Sequence, residues 1–123
     1  MQIKKTTYTE RDLRNERNDC TVRALAAVTG MPYDQAHAAL AAAGRKPRRG
    51  MPIHLLKPVY VAHGAGCYVN RGDRPTLASF ARQHGPGKYI VLVKGHVFAL
   101  VDNVQIDMND NGARKRVWGY WQF

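Results

Sequence analysis

A cysteine at the start of a predicted helix is the first candidate for chemistry in this sequence. Cys20 follows Asn18-Asp19, a pair typical of a helix N-cap, so its thiol would lie in the first helical turn. Free backbone N–H groups and the helix dipole favour a negative charge there, which lowers the pKa of a thiol. We therefore interpret Cys20 as a nucleophile, with a small buried hydrophobic side chain as the alternative.

A histidine at the start of a predicted strand is the second candidate. His96 precedes an apolar run at 97–101, which predicts a buried strand. Asp102-Asn103 then favours a two-residue hairpin turn, which pairs Val101 with Val104. A three-residue loop would instead reverse which side chains share a face of the sheet.

In the two-residue register, an acid lies beside this histidine. Asp107 falls on the same face as His96, at roughly 7 Å or less between backbone positions, and Asn109 falls directly opposite His96. A histidine held by a hydrogen-bond acceptor is the base that nucleophilic catalysis needs, because the acceptor fixes the tautomer and supports the imidazolium. The alternative is that Asp107 and Asn109 only end the strand.

The surrounding pattern predicts an α+β domain with helices first and a sheet last. Residues 1–17 are polar and charged, and they predict a basic N-terminal arm. One domain is expected at 18–123, with a helical half at 18–85 and a sheet half at 86–123. The predicted helices are 18–30, 32–43, 52–63 and 76–84. The predicted strands are 64–69, 89–93, 97–101, 104–108 and 116–123, and because the last four follow one another closely, we expect an antiparallel meander.

The order of these features resembles the papain-like cysteine peptidases, most closely the small branch that includes the bacteriocin-leader-processing peptidases. The matching segments are Asn18-Asp19-Cys20 at a helix start, Gly95-His96-Val97-Phe98-Ala99-Leu100 on a strand, and Ile106-Asp107 on the next strand. The form Asn-Asp-Cys-x-x-Arg-Ala-Leu is also similar to small bacteriophage proteins. The resemblance implies a papain-like fold in which Cys20 is the nucleophile, His96 the general base and acid, and Asp107 the orienting residue.

One position departs from the pattern of this family. The resemblance implies a glutamine six residues before the cysteine, where it helps to hold the oxyanion, but this sequence has Arg14 there. Asn15 or Asn18 would then supply a donor beside the backbone N–H of Cys20, and Asn109 is a further auxiliary candidate. The departure keeps a second interpretation open, in which the chain is a catalytically degenerate binding protein.

The net charge of +10 predicts an acidic partner. Basic residues concentrate in two segments, 4–17 and 45–49. The candidate partner-binding residues are Arg45, Lys46, Arg48 and Arg49. Nucleic acid and an acidic host protein are the expected classes of partner, and a surface charge that only maintains solubility is the alternative.

Other classes of site and location have weaker support. Trp118, Tyr120 and Trp121 follow basic residues and could stack on single-stranded nucleic acid, but core packing is the favoured interpretation. His63 and Cys67 are four residues apart, yet glycines between them break a helix, so we expect no metal site and no cofactor. No apolar run reaches ~20 residues and no signal peptide is present, which predicts a cytoplasmic protein without a membrane partner.

The sequence as a whole predicts a cysteine hydrolase of the peptidase or isopeptidase type. The substrate would be a peptide or protein, and the reaction would pass through an acyl-enzyme at Cys20. Transfer of the acyl group to an amine is an alternative reaction at the same site. A non-enzymatic protein that binds nucleic acid or an acidic protein through its basic segments is the alternative function.

Overall fold

The computed structural model describes residues 1–123, which form five helices and six strands. The helices are α1 Thr9–Leu13, α2 Cys20–Thr29, α3 Tyr33–Ala42, α4 Ile53–Ala62 and α5 Leu77–His84. The strands are β1 Gln2–Lys5, β2 Val69–Asn70, β3 Lys88–Val93, β4 His96–Val101, β5 Val104–Asp107 and β6 Gly119–Gln122. The predicted α+β class is confirmed.

All six strands belong to one mixed sheet in the order β1-β5-β4-β3-β6-β2. Strands β3, β4 and β5 pair antiparallel in sequence order. Strand β6 does not continue beyond β5 but returns to pair with β3, and β1 pairs with β5 in parallel. The predicted meander therefore describes only the centre of the sheet, because pairing partners far apart in the chain leave no local pattern.

The N-terminal arm predicted at 1–17 is part of the fold. Strand β1 forms the sheet edge, with Lys5 beside Asp107, and the N–H of Thr6 donates to the carbonyl oxygen of Asp107 at 2.9 Å. Only Ile3 of this strand is even partly buried, and lysines are common on edge strands because they discourage pairing with other chains. The charged residues of β1 therefore gave no sequence signal for a strand.

Helices cover both faces of the sheet, and each face has its own apolar core. Helices α2, α3 and α4 pack on one face against residues such as Ile90, Ala99 and Trp121. Helix α5 covers the opposite face, where Phe80 packs near Phe98. The complete burial of Trp121 supports the core interpretation for that aromatic residue.

The β4–β5 hairpin has the register that the sequence predicted. Asp102 and Asn103 adopt positive φ angles of 48° and 66°, as a tight two-residue turn of this hand requires, and Val101 pairs with Val104. Strand β5 ends at Asp107, so it is one residue shorter than predicted. None of the helices is long and apolar enough to span a bilayer.

Candidate active site

Helix α2 places Cys20 at its first residue, over the beginning of β4. The helix packs on β4, and His96 is the first residue of that strand. The first helical donor is the N–H of Val22, which bonds the carbonyl oxygen of Asp19 at 3.0 Å. The N–H groups of Cys20 and Thr21 therefore have no acceptor within the helix, which favours a negative charge at the half-buried thiol.

His96 is held by the carboxylate of the neighbouring strand. Its Nε2 lies 2.7 Å from Oδ2 of Asp107, which leaves Nδ1 as the nitrogen available to Cys20. The carboxylate itself is buried and fixed by three further donors. They are the guanidinium of Arg23 at 2.6 Å, the N–H of Met108 at 2.8 Å and the amide of Asn111 at 3.0 Å. The imidazole therefore has a rigid acceptor behind it.

The thiol and the imidazole shift each other's pKa in opposite directions. Burial disfavours the thiolate of Cys20, but hydrogen bonds with His96 and with the backbone of Val97, and nearby positive charge, outweigh burial and lower the thiol pKa. Burial also disfavours the imidazolium, but hydrogen bonds and charge from Asp107 and Cys20 raise the pKa of His96 to about 9. Both shifts favour the thiolate–imidazolium form of the pair over the neutral form.

Asp107 stays ionised despite its burial. Desolvation would raise its pKa, but hydrogen bonds from His96, Asn111 and the N–H of Met108 hold the pKa well below its ordinary value. Arg23 supplies a neighbouring positive charge at the same carboxylate. A carboxylate in this state supports the imidazolium form of His96.

A second buried carboxylate stands behind Arg23. Asp19 accepts from Nε of Arg23 at 3.0 Å, from Nε of Arg11 at 3.0 Å and from the hydroxyl of Tyr33 at 2.7 Å. Arg23 thus bridges Asp19, adjacent to Cys20 in the chain, and Asp107, the partner of His96. This bridge fixes the helix start and the end of β5 relative to each other.

A cleft of about 220 Å³ opens over the thiol and the imidazole. Five aliphatic or thioether side chains contribute to its walls: Met51, Ile53, Leu56, Leu92 and Val97. Thr21 also lines the cleft, and its hydroxyl oxygen is buried without a hydrogen-bond partner. The reactive atoms therefore face a small, mostly apolar space that a polypeptide segment could enter.

No protein-family model, curated protein or solved structure matches this chain. The function is therefore inferred from the site's own geometry. No group of three or more His, Cys, Asp or Glu side chains is arranged to hold a metal ion.

The auxiliary residues expected from the sequence lie elsewhere. Asn15 and Asn18 are exposed and do not line the cleft, and the amide of Asn18 donates to the carbonyl oxygen of Arg48. Arg14 donates to Asp34 at 2.9 Å, on the exposed surface. Asn109 is exposed beyond the end of β5, because the chain turns away from the strand after Asp107.

The basic segment at 45–49 is not a uniform surface. The side chain of Arg45 is 1% exposed and bonds both carboxylate oxygens of Glu16 at 3.1 Å, so Arg45 is not free to bind a partner. Lys46, Arg48 and Arg49 are exposed. The run of positive charge in the sequence gave no sign that one of its members was buried against an acid.

Asn111 is the site residue that sequence reasoning missed. Its side-chain amide donates to the carboxylate of Asp107 at 3.0 Å, whereas Asn109, which the register places opposite His96, is exposed. The segment Asp110-Asn111-Gly112 predicted a turn, but a turn signal does not say which side chain points back to the strand. The double role of Arg23 was also hidden, because it joins residues 84 positions apart.

Proposed function

We propose that this protein is a cysteine hydrolase that cleaves a peptide or isopeptide bond through an acyl-enzyme on Cys20. The observation that carries the proposal is that Cys20 and His96 line one cleft, with Nε2 of His96 2.7 Å from the buried carboxylate of Asp107. The cleft over the first two residues gives a substrate access. The order of these three residues along helix, strand and next strand supports a relation to the papain-like peptidases.

Acylation begins with attack of the Cys20 thiolate on the carbonyl carbon of the substrate. The oxyanion that forms meets the N–H groups of Cys20 and Thr21, which have no helical acceptor. The His96 imidazolium then gives its proton to the leaving amine, and the C–N bond breaks. A thioester of Cys20 and a neutral imidazole remain.

Deacylation reverses these roles. Neutral His96 takes a proton from water, the hydroxide oxygen attacks the thioester carbon, and the C–S bond breaks to release a carboxylic acid and the thiolate. Asp107 supports the imidazolium each time it forms. An amine in place of water would give acyl transfer with the same atoms.

The side chain of Arg14 does not supply a donor to the oxyanion, which predicts a slow enzyme. Arg14 is committed to Asp34 at the surface, so the position that the papain-like pattern assigns to an oxyanion donor contributes none. One such donor is worth about 10²–10³ in rate. We therefore expect measurable turnover first with an activated ester rather than with an amide.

The test uses p-nitrophenyl acetate on protein that carries Cys67→Ser, because Cys67 is exposed and would react as well. We expect a burst of one equivalent of nitrophenolate, one acetyl group on Cys20 by mass spectrometry, and then steady turnover. Cys20→Ser should remove both phases, and His96→Ala should remove the turnover. An acetyl group that stays on Cys20 without hydrolysis would contradict the proposal. So would acetylation and turnover in His96→Ala that equal those of the parent protein.

A binding protein without catalysis is the second candidate. The observation in its favour is the exposed basic loop of Lys46, Arg48 and Arg49. Arg14 also supports it, because its side chain pairs with Asp34 at the surface and does not serve the cleft. A binder should keep a salt-sensitive interaction with an acidic partner after Cys20→Ala and should show no acetyl turnover.

A further inference from the structure

Two connected cavities form a groove next to the catalytic cleft. The first measures about 760 Å³ and the second about 420 Å³, and both are lined by Arg74 and Trp118. We call this continuous surface the basic groove. Its cationic residues are Lys57, Arg71, Arg74, Lys94, Arg114, Lys115 and Arg116.

The charge of the basic groove is almost entirely unneutralised. Neither cavity has an Asp or Glu in its lining. Arg71 pairs with Asp73 at 2.9 Å, whereas the other six cationic side chains form no ion pair. A concave surface with charge of one sign concentrates ligands of the opposite sign, so the groove favours an anionic chain.

The basic groove leads directly to the reactive residues. Ile53 and Leu92 line both the groove and the catalytic cleft. The turn between β3 and β4 also connects the groove with the cleft. Lys94 of this turn lines the groove, and the next residues, Gly95 and His96, line the cleft. A chain that lies in the groove can therefore continue to Cys20 without leaving the surface.

The aromatic rings of the basic groove offer little room for stacked bases. The guanidinium of Arg74 covers the Trp118 ring at 4.2 Å, and the ammonium of Lys57 covers the Tyr68 ring at 4.8 Å. Tyr68 also packs against Trp121 and lies so close over Gly119 that a Cβ there would collide with it. Single-stranded nucleic acid binds on open aromatic faces, so carboxylates are the better match for this surface.

We propose that the basic groove binds an acidic stretch of a peptide or protein substrate, beside the bond that Cys20 cleaves. This inference rests on the proposed function for its catalytic half, and on the groove's own charge for its binding half. The substrate class is thus a polypeptide in which several Asp or Glu residues adjoin the scissile bond on one side.

The test compares two acrylamide-bearing peptides of equal length on Cys67→Ser protein. One peptide contains Asp and Glu, and the other contains Asn and Gln at the same positions. We expect the acidic peptide to label Cys20 about tenfold faster or more at low salt, with a ratio that falls as salt rises. Equal labelling rates at low salt would overturn the inference.

Two variants with the same net charge test whether the groove itself causes the difference in labelling rates. Lys94→Glu/Arg114→Glu changes two exposed residues of the groove. Arg82→Glu/Lys88→Glu makes the same change in net charge at exposed residues outside the groove. The groove variant should bring the ratio of labelling rates close to one, and the control should keep most of it. An equal loss in both variants would mean that net charge alone attracts the peptide, which contradicts a defined site.

Two further measurements separate this inference from the proposed function. Iodoacetamide is small and neutral, so its rate at Cys20 reports the catalytic pair alone. If that rate is the rate of an ordinary thiol, the proposed function fails, and fluorescence anisotropy of the acidic peptide without its acrylamide then tests the groove by the same variants. If a single-stranded oligonucleotide displaces this peptide at far lower concentration than the peptide displaces itself, the groove is a nucleic-acid site and the inference is wrong.

Discussion

Two histidines of this protein each lie 2.7 Å from a buried carboxylate, yet their surroundings differ. His96 contacts Asp107, which also binds Arg23. His37 contacts Glu16, which also binds the buried Arg45. The two clusters share the same three side-chain types and similar distances, so the histidine–carboxylate pair alone does not make a reactive site.

The Glu16 cluster connects two parts of the backbone. Besides its side-chain partners, Glu16 accepts from the backbone N–H of Arg48 at 2.6 Å and of Arg17 at 3.2 Å. Burial opposes its ionisation, but the hydrogen bonds from Arg45, His37 and Arg48 lower the pKa of Glu16 to about 2. These bonds hold the basic loop against the segment that leads into α2.

Two further features, a thiol and a cleft, accompany the Asp107 cluster. His96 is 27% exposed, borders a cleft and faces a thiol, so a proton can move between it and a substrate. His37 is 12% exposed, and its ring contacts Glu16 and the ring of Tyr33. The comparison indicates that a nucleophile and an access path convert a common structural unit into a candidate catalytic one.

Removal of Glu16 should have the largest effect on stability. Glu16→Ala leaves Arg45 buried without its partner, which should lower the free energy of unfolding by about 3–5 kcal/mol. Urea denaturation measures this change. The alkylation rate of Cys20 in the fraction that remains folded should not change, and a large fall in that rate would show that the two clusters are coupled.

The contribution of the Glu16 cluster to the free energy of unfolding should depend on pH. The pKa of Glu16 is lowered from 4.5 to about 2, so its contribution to stability is complete above pH 4.5 and is lost as the pH falls through about 2. The wild type should therefore exceed Glu16→Gln in unfolding free energy by about 3 kcal/mol at neutral pH, and the difference should shrink toward pH 2. A difference that does not depend on pH would contradict this origin.

Asp107→Asn should reduce reactivity rather than only stability. An amide cannot support the imidazolium as a carboxylate does, so the pKa of His96 should fall and the thiolate of Cys20 should become rarer at pH 6. We expect iodoacetamide to alkylate Cys20 about 10- to 100-fold more slowly, since charge partners shift a pKa by about 1–3 units and part of the change is offset by higher intrinsic nucleophilicity. Glu16→Gln is the matched control and should keep the wild-type rate.

Two asparagines close in sequence give the smallest predicted effect. Asn111→Ala removes one of four donors to the ionised Asp107, while His96, Arg23 and the N–H of Met108 remain, so alkylation of Cys20 at pH 6 should slow only a few-fold. Asn109→Ala changes an exposed residue and should have no effect on that rate. The reverse ranking would mean that Asn109, the residue suggested by strand register, is the true auxiliary.

The part of this site that sequence could predict is local. A two-residue turn and the alternation of side chains along a strand were enough to place Asp107 beside His96, and a helix-start pattern was enough to place Cys20. The segment that follows β5 has no such period, so the strand pattern points to Asn109 and gives no signal for Asn111.

The part that could not be predicted depends on pairing across the chain. The parallel edge strand β1 has a sequence of exposed charge, and its partner β5 lies about a hundred residues later. The burial of Arg45 depends on Glu16, and the bridge of Arg23 depends on Asp107. Charge patterns in a single sequence do not show which arginines meet acids once the chain folds.

The pH dependence of Cys20 alkylation tests the central claim most directly. Iodoacetamide rates would be measured from pH 4 to 10 for Cys67→Ser protein and for the same protein with His96→Ala or His37→Ala. We expect Cys20 to react as a thiolate below the ordinary thiol pKa, with a second change near pH 9 as His96 loses its proton, and both features should be lost in His96→Ala only. A thiol that titrates at its ordinary value in all three proteins, or one that responds equally to His37→Ala, would contradict it.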